Sequence, residues 1–180
     1  MQVRPSRIPD VVVIEPDVYR DARGYFVETY HEQRYREAGV PGPFVQDNES
    51  RSVRGVLRGL HAQRRNAQGK LVRVLAGEIY DVAVDVRPEA PTYGQWVGVT
   101  LSAENFLQIY VPPGFVHGFC VTSDEAIIAY KCTTPYDRED EVGVLWSDPD
   151  LGITWPIAAP SVSEKDAVLP RLCEAGVLIG

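Results

Sequence analysis

The sequence predicts an all-β sandwich or barrel, on three observations. Fifteen glycines and fourteen prolines are spread along the 180 residues rather than gathered in one linker. Between them lie short runs of β-branched and aromatic residues that alternate in side-chain character. Helical signal is confined to two short stretches. Turn residues at this density between short alternating runs suit many strands joined by tight turns.

The elements follow in chain order. Val11 to Ile14 is the longest clean apolar run, a strand's length and far short of the ~18 residues that cross a bilayer. The segment ETYHEQRYREAGV (28–40) carries helix formers and charges and closes on Gly39, which predicts a short surface helix with His31 as a bystander on it. In IYDVAVDVR (79–87), Val82, Val84 and Val86 share one face while Asp81, Asp85 and Arg87 share the other. In WVGVTL (96–101), Val97, Val99 and Leu101 alternate with Trp96, Gly98 and Thr100. FVHGFCV (115–121) puts Phe115, His117, Phe119 and Val121 on one face, and IIAYKC (127–132) does the same with Ile128, Tyr130 and Cys132. Near SEKDAV (163–168), Ser163 can cap a second short helix with Asp166 at its third position. The chain from about residue 160 reads as a tail laid over the main body.

Composition narrows the function classes. With 44% hydrophobic and 24% charged residues, the chain is ordinary globular material, and its length suits one domain spanning residues 1–180. A net charge of −7 and a pI near 5.0 argue against a general nucleic-acid binder. Cys120, Cys132 and Cys173 are too few and too scattered for a disulfide or zinc framework. The opening MQVRPSRIPD lacks the apolar stretch of a signal peptide. The expectation is a soluble cytoplasmic domain with no membrane segment.

One window breaks the acidic balance. Residues 51–77 carry Arg51, Arg54, Arg58, Arg64, Arg65, Lys70 and Arg73 and no acid. Such a window is either a solvated basic loop or a compact pocket for a small polyanion such as a diphosphate, whose oxygens suit arginine's planar fork. No P-loop and no G-x-G-x-x-G is present, so a nucleotide would not be held in those ways. His61 ends VLRGLH inside the window and is either structural or chemical. His117, in PPGFVHGF, has the core reading of a histidine between two aromatics on one face. The run Pro112–His117 resembles the second metal motif of cupins, but the first needs H-x-H and a nearby Glu. Here it reads His61-Ala62-Gln63, with no acid until Glu78, so no metal is expected. Cys120 and Cys132 read as small core residues, and no G-x-S-x-G elbow exists. That leaves His61, Tyr130, Tyr136, Lys70 and the carboxylates for acid–base work. A His, a Lys and a Tyr in a basic pocket can run proton abstraction next to a carbonyl: the His takes the proton, the cation stabilises the enolate, and the Tyr returns a proton.

The motifs DARGYFVE (21–28), FVQDNESRS (44–52), GVLRGLHAQ (55–63), QGKLVRVLAGEIYDVAVDVR (68–87), APTYGQWVGV (90–99), LSAEN (101–105), VPPGFVHGF (111–119), YKCTTPY (130–136) and SEKDAVLP (163–170) occur in order over nearly the whole chain. Together they resemble the dTDP-4-dehydrorhamnose 3,5-epimerase family. The resemblance implies a cupin-like jelly-roll β-barrel with a few short peripheral helices, no metal or other cofactor, and a homodimer with strand exchange at the N-terminal side. It implies a dTDP-4-keto-6-deoxyhexose substrate, with inversion at C3 and C5. Related enzymes of deoxysugar biosynthesis invert C3 or C5 only. By position, His61 matches the base, Asp166 the carboxylate that orients it, Tyr130 the proton donor and Lys70 the enolate stabiliser. Arg23, Arg58 and His117 match sugar-diphosphate contacts, and Phe26 and Glu28 the thymine end. Gln46 to Asn48 match contacts from the partner subunit, and Glu141 and Lys165 match further binding positions. Tyr136 either packs or lines the pocket. Glu49 and Ala62 depart from the family's usual His and aromatic, and both are expected near the base.

Overall fold

The computed structural model describes residues 1–176. Thirteen strands and two helices follow one another: β1 (Gln2–Arg4), β2 (Val12–Glu15), β3 (Val18–Asp21), β4 (Gly24–Val27), α1 (Glu32–Glu37), β5 (Gln46–Val53), β6 (Leu57–Gln63), β7 (Lys70–Ala76), β8 (Glu78–Asp85), β9 (Trp96–Ser102), β10 (Gln108–Val111), β11 (Phe115–Val121), β12 (Glu125–Cys132), β13 (Glu141–Gly143) and α2 (Glu164–Ala167). Two antiparallel sheets form a cupin-like jelly roll. One runs β1-β2-β10-β7-β12-β5 and the other β13-β6-β11-β8-β9, while β3 and β4 form a separate hairpin.

The interior between the sheets is apolar at one end. Val72, Val74 and Ile128 from the first sheet meet Ile79, Ala83, Leu101, Phe115, Phe119 and Val121 from the second. The faces expected for β9, β11 and β12 supply this core. Along β8 and just past its end, the valine row Val82, Val84 and Val86 turns away from the interior. It packs under a covering layer made by Val144, Leu151 and Leu172, with Ile153 and Trp155 beside them. The interior row of β8 therefore carries Asp81 between Ile79 and Ala83, and the strand is buried on both faces. Alternation fixes which residues share a face; the covering layer decides which face turns inward.

That layer begins well before residue 160, because Val144 and Leu151 already belong to it. Ser161 bridges in parallel to Val56, its N–H donating to Gly55 O at 2.8 Å. The Leu172 N–H donates to the buried Asp148 carboxylate at 2.7 Å. Residues 177–180 of the expected tail lie outside the described residues.

Both helices form where the sequence puts them. α1 is shorter than its segment, and His31 is its N-cap, accepting from the Arg34 N–H, rather than a bystander. Tyr35 buries its ring against Val12, Ile14, Leu71 and Tyr110 on the outer side of the first sheet. Ser163 caps α2 by accepting from the Asp166 N–H at 3.0 Å, as its spacing predicts.

Candidate active site

A cavity of about 700 Å³ opens between the sheets, and the core residues Val72, Phe119 and Ile128 form part of its wall. β6 brings Arg58 and His61 to it, β7 Lys70, β11 His117, β12 Tyr130, and β5 Gln46, Asn48 and Ser50. Tyr136, Glu141, Lys165 and Asp166 complete the wall.

His61 points inward while its neighbours Leu60 and Ala62 pack in the outer layer. Its Nε2 lies 2.7 Å from Asp166 Oδ1. A carboxylate only accepts, so Nε2 carries the hydrogen and Nδ1 is left with its lone pair. Asp166 is almost fully buried, and its other oxygen accepts from the Gly59 N–H at 3.3 Å. Burial holds His61 below its ordinary pKa, although Asp166 and Glu141 pull the other way. The imidazole is therefore neutral at pH 7 and able to take a proton.

His117 stands opposite His61 in the ladder, and its Nε2 lies 2.9 Å from both oxygens of the buried Asp81. Between His117 and Phe119 the register shifts. There Gly118 and Gly59 pass so closely that a Cβ on Gly118 would lie 2.6 Å from Arg58 O and 3.0 Å from Gly59 Cα. Gly59 itself has φ +129°, where side chains are strained. Two glycines thus let β6 and β11 close beside the two histidines.

Lys131 and Lys165 pair with carboxylates, whereas Lys70 has no such partner among the described residues. Burial pushes its ammonium below the ordinary lysine range. Burial likewise raises the Tyr130 phenol. Tyr136 Oη donates to Glu141 Oε2 at 2.7 Å, and this bond helps push Tyr136 up to about 12. Lys165 Nζ reaches the same oxygen at 2.7 Å. Burial alone would raise Glu141; the bonds from Lys165 and Tyr136 outweigh it and hold the carboxyl below its ordinary value. Arg58 Nε donates to Ser52 Oγ at 3.0 Å.

The structure thus gathers eleven of the sequence-expected residues: His61, Asp166, Tyr130, Lys70, Arg58, His117, Tyr136, Glu141, Lys165, Gln46 and Asn48. Gln46 and Asn48, expected from a partner subunit, line this chain's own cavity. β5 pairs along its full length with β12 of the same chain, and alternation turns both side chains inward. Arg23, Phe26 and Glu28 lie elsewhere. Arg23 pairs with Asp21 at 2.6 Å, Glu28 pairs with Arg34, and Phe26 stands 69% exposed on the β3–β4 hairpin. Glu49, expected near the base, falls on the outward row of β5 beside Arg73 and Lys131. The structure adds Asp81 and Ser50, which sequence reasoning missed. Asp81 could have been found as an acid on the same row as two core residues. Ser50 Oγ is the one buried side-chain polar atom without a partner among the described residues. No group of three His, Cys, Asp or Glu converges as a metal site among the described residues. No described helix is long and apolar enough to cross a membrane.

A model of the dTDP-4-dehydrorhamnose 3,5-epimerase family matches residues 5–174. The chain belongs to this family. A dTDP-4-dehydrorhamnose 3,5-epimerase of Pseudomonas aeruginosa is 56% identical over 168 residues, covering 92% of this chain and 93% of that one. A crystal structure of dTDP-6-deoxy-D-glucose-3,5-epimerase from Legionella pneumophila, in complex with dTDP-4-keto-L-rhamnose, superposes with a TM-score of 0.93 at 50% identity. It covers 96% of this chain and 93% of that chain. A dTDP-4-dehydrorhamnose 3-epimerase of Streptomyces niveus is more distant, 41% identical with 97% and 86% covered. The chain is an epimerase of the isomerase class.

Proposed function

We propose that the cavity holds dTDP-4-keto-6-deoxy-D-glucose and that the enzyme inverts C3 and C5 to give dTDP-4-keto-L-rhamnose. One observation carries this reading: a neutral imidazole with a lone pair at Nδ1, an unpaired ammonium and a phenol share one cavity. The C4 ketone acidifies both neighbouring C–H bonds, because either carbanion delocalises onto the same oxygen. Nδ1 of His61 takes the proton and the C–H electron pair moves to the C4 oxygen as an enolate. Lys70 stabilises that oxygen, and Tyr130 delivers a proton to the opposite face. The ring then shifts to offer the second carbon, while Arg58, His117, Gln46 and Asn48 anchor the diphosphate end.

We infer a cytoplasmic homodimer. The exposed segment with Arg23, Phe26 and Glu28 has no place in its own cavity; it supplies Arg23 to the diphosphate, and Phe26 and Glu28 to the thymine end, of the partner's. Three aromatics, Tyr19, Tyr25 and Phe26, stand more than half exposed on it, which suits a surface that a second copy covers. The alternative, inversion at one carbon only, is separated by proton NMR of the 4-keto substrate in heavy water. Deuterium at C3 and C5, with dTDP-L-rhamnose formed by a coupled 4-ketoreductase, is the expected result. Label confined to one carbon makes the enzyme a mono-epimerase.

A further inference from the structure

The proton that His61 takes needs a way out, since the imidazole must be neutral again for the next carbon. Toward Asp166 there is none. That side chain is 5% exposed, and its oxygens are engaged by His61 Nε2 and the Gly59 N–H. On the other side, His61 Nδ1 lies 3.5 Å from Glu141 Oε1. Glu141 is itself 11% exposed, but its second oxygen meets Lys165 Nζ and Tyr136 Oη, each at 2.7 Å. Lys165 is 56% exposed and Tyr136 53%, so both reach bulk water. The carboxylate thus bridges a partly buried base and the solvent. The fold sets this up: β13 pairs with β6 so that Gly143 is opposite His61, and Glu141, two residues away, falls on the same face.

We propose that Glu141 is the exit for the proton that His61 abstracts. This rests on the epimerase reading above. The step balances without a further reagent. The C–H bond breaks, its electron pair goes to the C4 oxygen, and the proton bonds to Nδ1. The imidazolium so formed attracts the carboxylate and closes the 3.5 Å gap to a hydrogen bond. The proton passes to Oε1; rotation of the carboxyl group then carries it to the Lys165 side, where a water takes it, leaving His61 neutral and Glu141 ionised as before. Because Lys165 and Tyr136 stabilise its charged form, Glu141 gives the proton up readily rather than storing it. Glu141 acts through His61 and needs no contact with the reacting carbons.

The test separates the two faces of the sugar ring. In heavy water, deuterium in recovered substrate reports solvent exchange at His61, whereas deuterium in product reports delivery by Tyr130. At low conversion, wild-type enzyme is expected to label both. Glu141→Gln keeps the shape and the acceptor oxygen but cannot carry the proton. Label in recovered substrate, relative to label in product, should fall at least tenfold, and kcat should fall with it. A residue that only packs or binds would raise KM and leave the ratio unchanged, and an unchanged ratio overturns the proposal. Wild-type substrate recovered unlabelled beside labelled product overturns it too. If the amide variant does not fold, Glu141→Asp carries the test, since retraction by one methylene widens the gap. Its ratio should fall at least threefold, and no fall overturns the proposal. Wild-type enzyme giving neither epimer nor label would instead remove the epimerase reading, and this proposal with it.

Discussion

His61 and His117 face each other across the β6–β11 ladder, and each turns its Nε2 onto a buried carboxylate from a different part of the chain. Asp166 comes from the short helix α2 and Asp81 from the interior row of β8. Both rings thus have fixed orientations before any substrate arrives. Only His61 also has a second carboxylate, Glu141, near its Nδ1.

The base and its orienter separate by substitution. His61→Ala should abolish deuterium exchange at both carbons. Asp166→Asn should lower kcat by about a hundredfold or more, the scale of a positioned acid–base group. Affinity for dTDP, measured by calorimetry, should change little in either variant, because Arg58, Gln46 and Asn48, the proposed contacts to the diphosphate end, are left in place. A His61→Ala protein exchanging at near wild-type rate would remove His61 from the chemistry.

Activity should be bell-shaped in pH, with its sign set by burial. His61 must be neutral, and burial holds its pKa under the ordinary 6.5. The acid limb of kcat/KM therefore lies below 6.5, with activity present above it and lost as pH falls through it. Asp166 raises His61, so Asp166→Asn should move that limb to still lower pH. On the alkaline side Lys70 must stay protonated. Burial lowers it from 10.5 while burial raises Tyr130 above 10, so loss of the lysine proton should set the alkaline limb. A pH–rate profile of Lys70→Arg, whose guanidinium does not titrate, should have that limb displaced upward.

Complementation between subunits tests the hairpin. His61→Ala lacks the base, and Phe26→Ala lacks a hairpin aromatic. If each hairpin serves the partner's cavity, a mixed dimer holds one site with both defects and one with neither. Refolding the two inactive or weakened proteins together should restore turnover with wild-type KM. Mixtures no more active than the sum of their parents would return Phe26 to a role on its own subunit.

Strand closure at the site depends on missing side chains. Gly118→Ala sets a methyl 2.6 Å from Arg58 O, a contact that backbone must move to relieve. The variant should unfold at lower denaturant, by about 1–3 kcal/mol on the scale of overpacked cores. It should also lose activity beyond that, because His61 and His117 ride on the two strands forced apart. Gly152→Ala is the control: its φ of +58° strains the backbone, which that of Gly118 does not, but its Cβ would meet only Pro149 O at 3.9 Å, so it crowds nothing near the site.

Much of this architecture was legible in the residues, and the gaps have physical reasons. The alternating runs gave strands at 79–87, 96–101, 115–121 and 127–132, and Ser163 with Asp166 gave α2 and its cap. The residue types at His61, Lys70 and Tyr130 matched one chemistry, and the cavity brings them together. A period of two says which side chains share a face, but not which face turns inward. For β8 that is decided by Val144, Leu151 and Leu172, distant in sequence, so the valine row could be seen but not Asp81's inward turn. Glu49 is expected near the base only through the resemblance, where the family's usual residue is His; one step along the strand from Asn48 carries it to the opposite side of the sheet. The hairpin's separation from its own cavity has no sequence signal, because a hairpin reads the same whether it packs at home or abroad.

The late place of α2 in the chain has a consequence during synthesis. Every strand of the barrel, through β13, precedes Asp166 in the chain. On the ribosome the barrel can therefore close, with His61 inside it, while Asp166 is still in the exit tunnel. The imidazole is then free to turn and to take either tautomer. The nascent chain has its base before it has the carboxylate that aims it, so it acquires the shape of the enzyme first and its reactivity last.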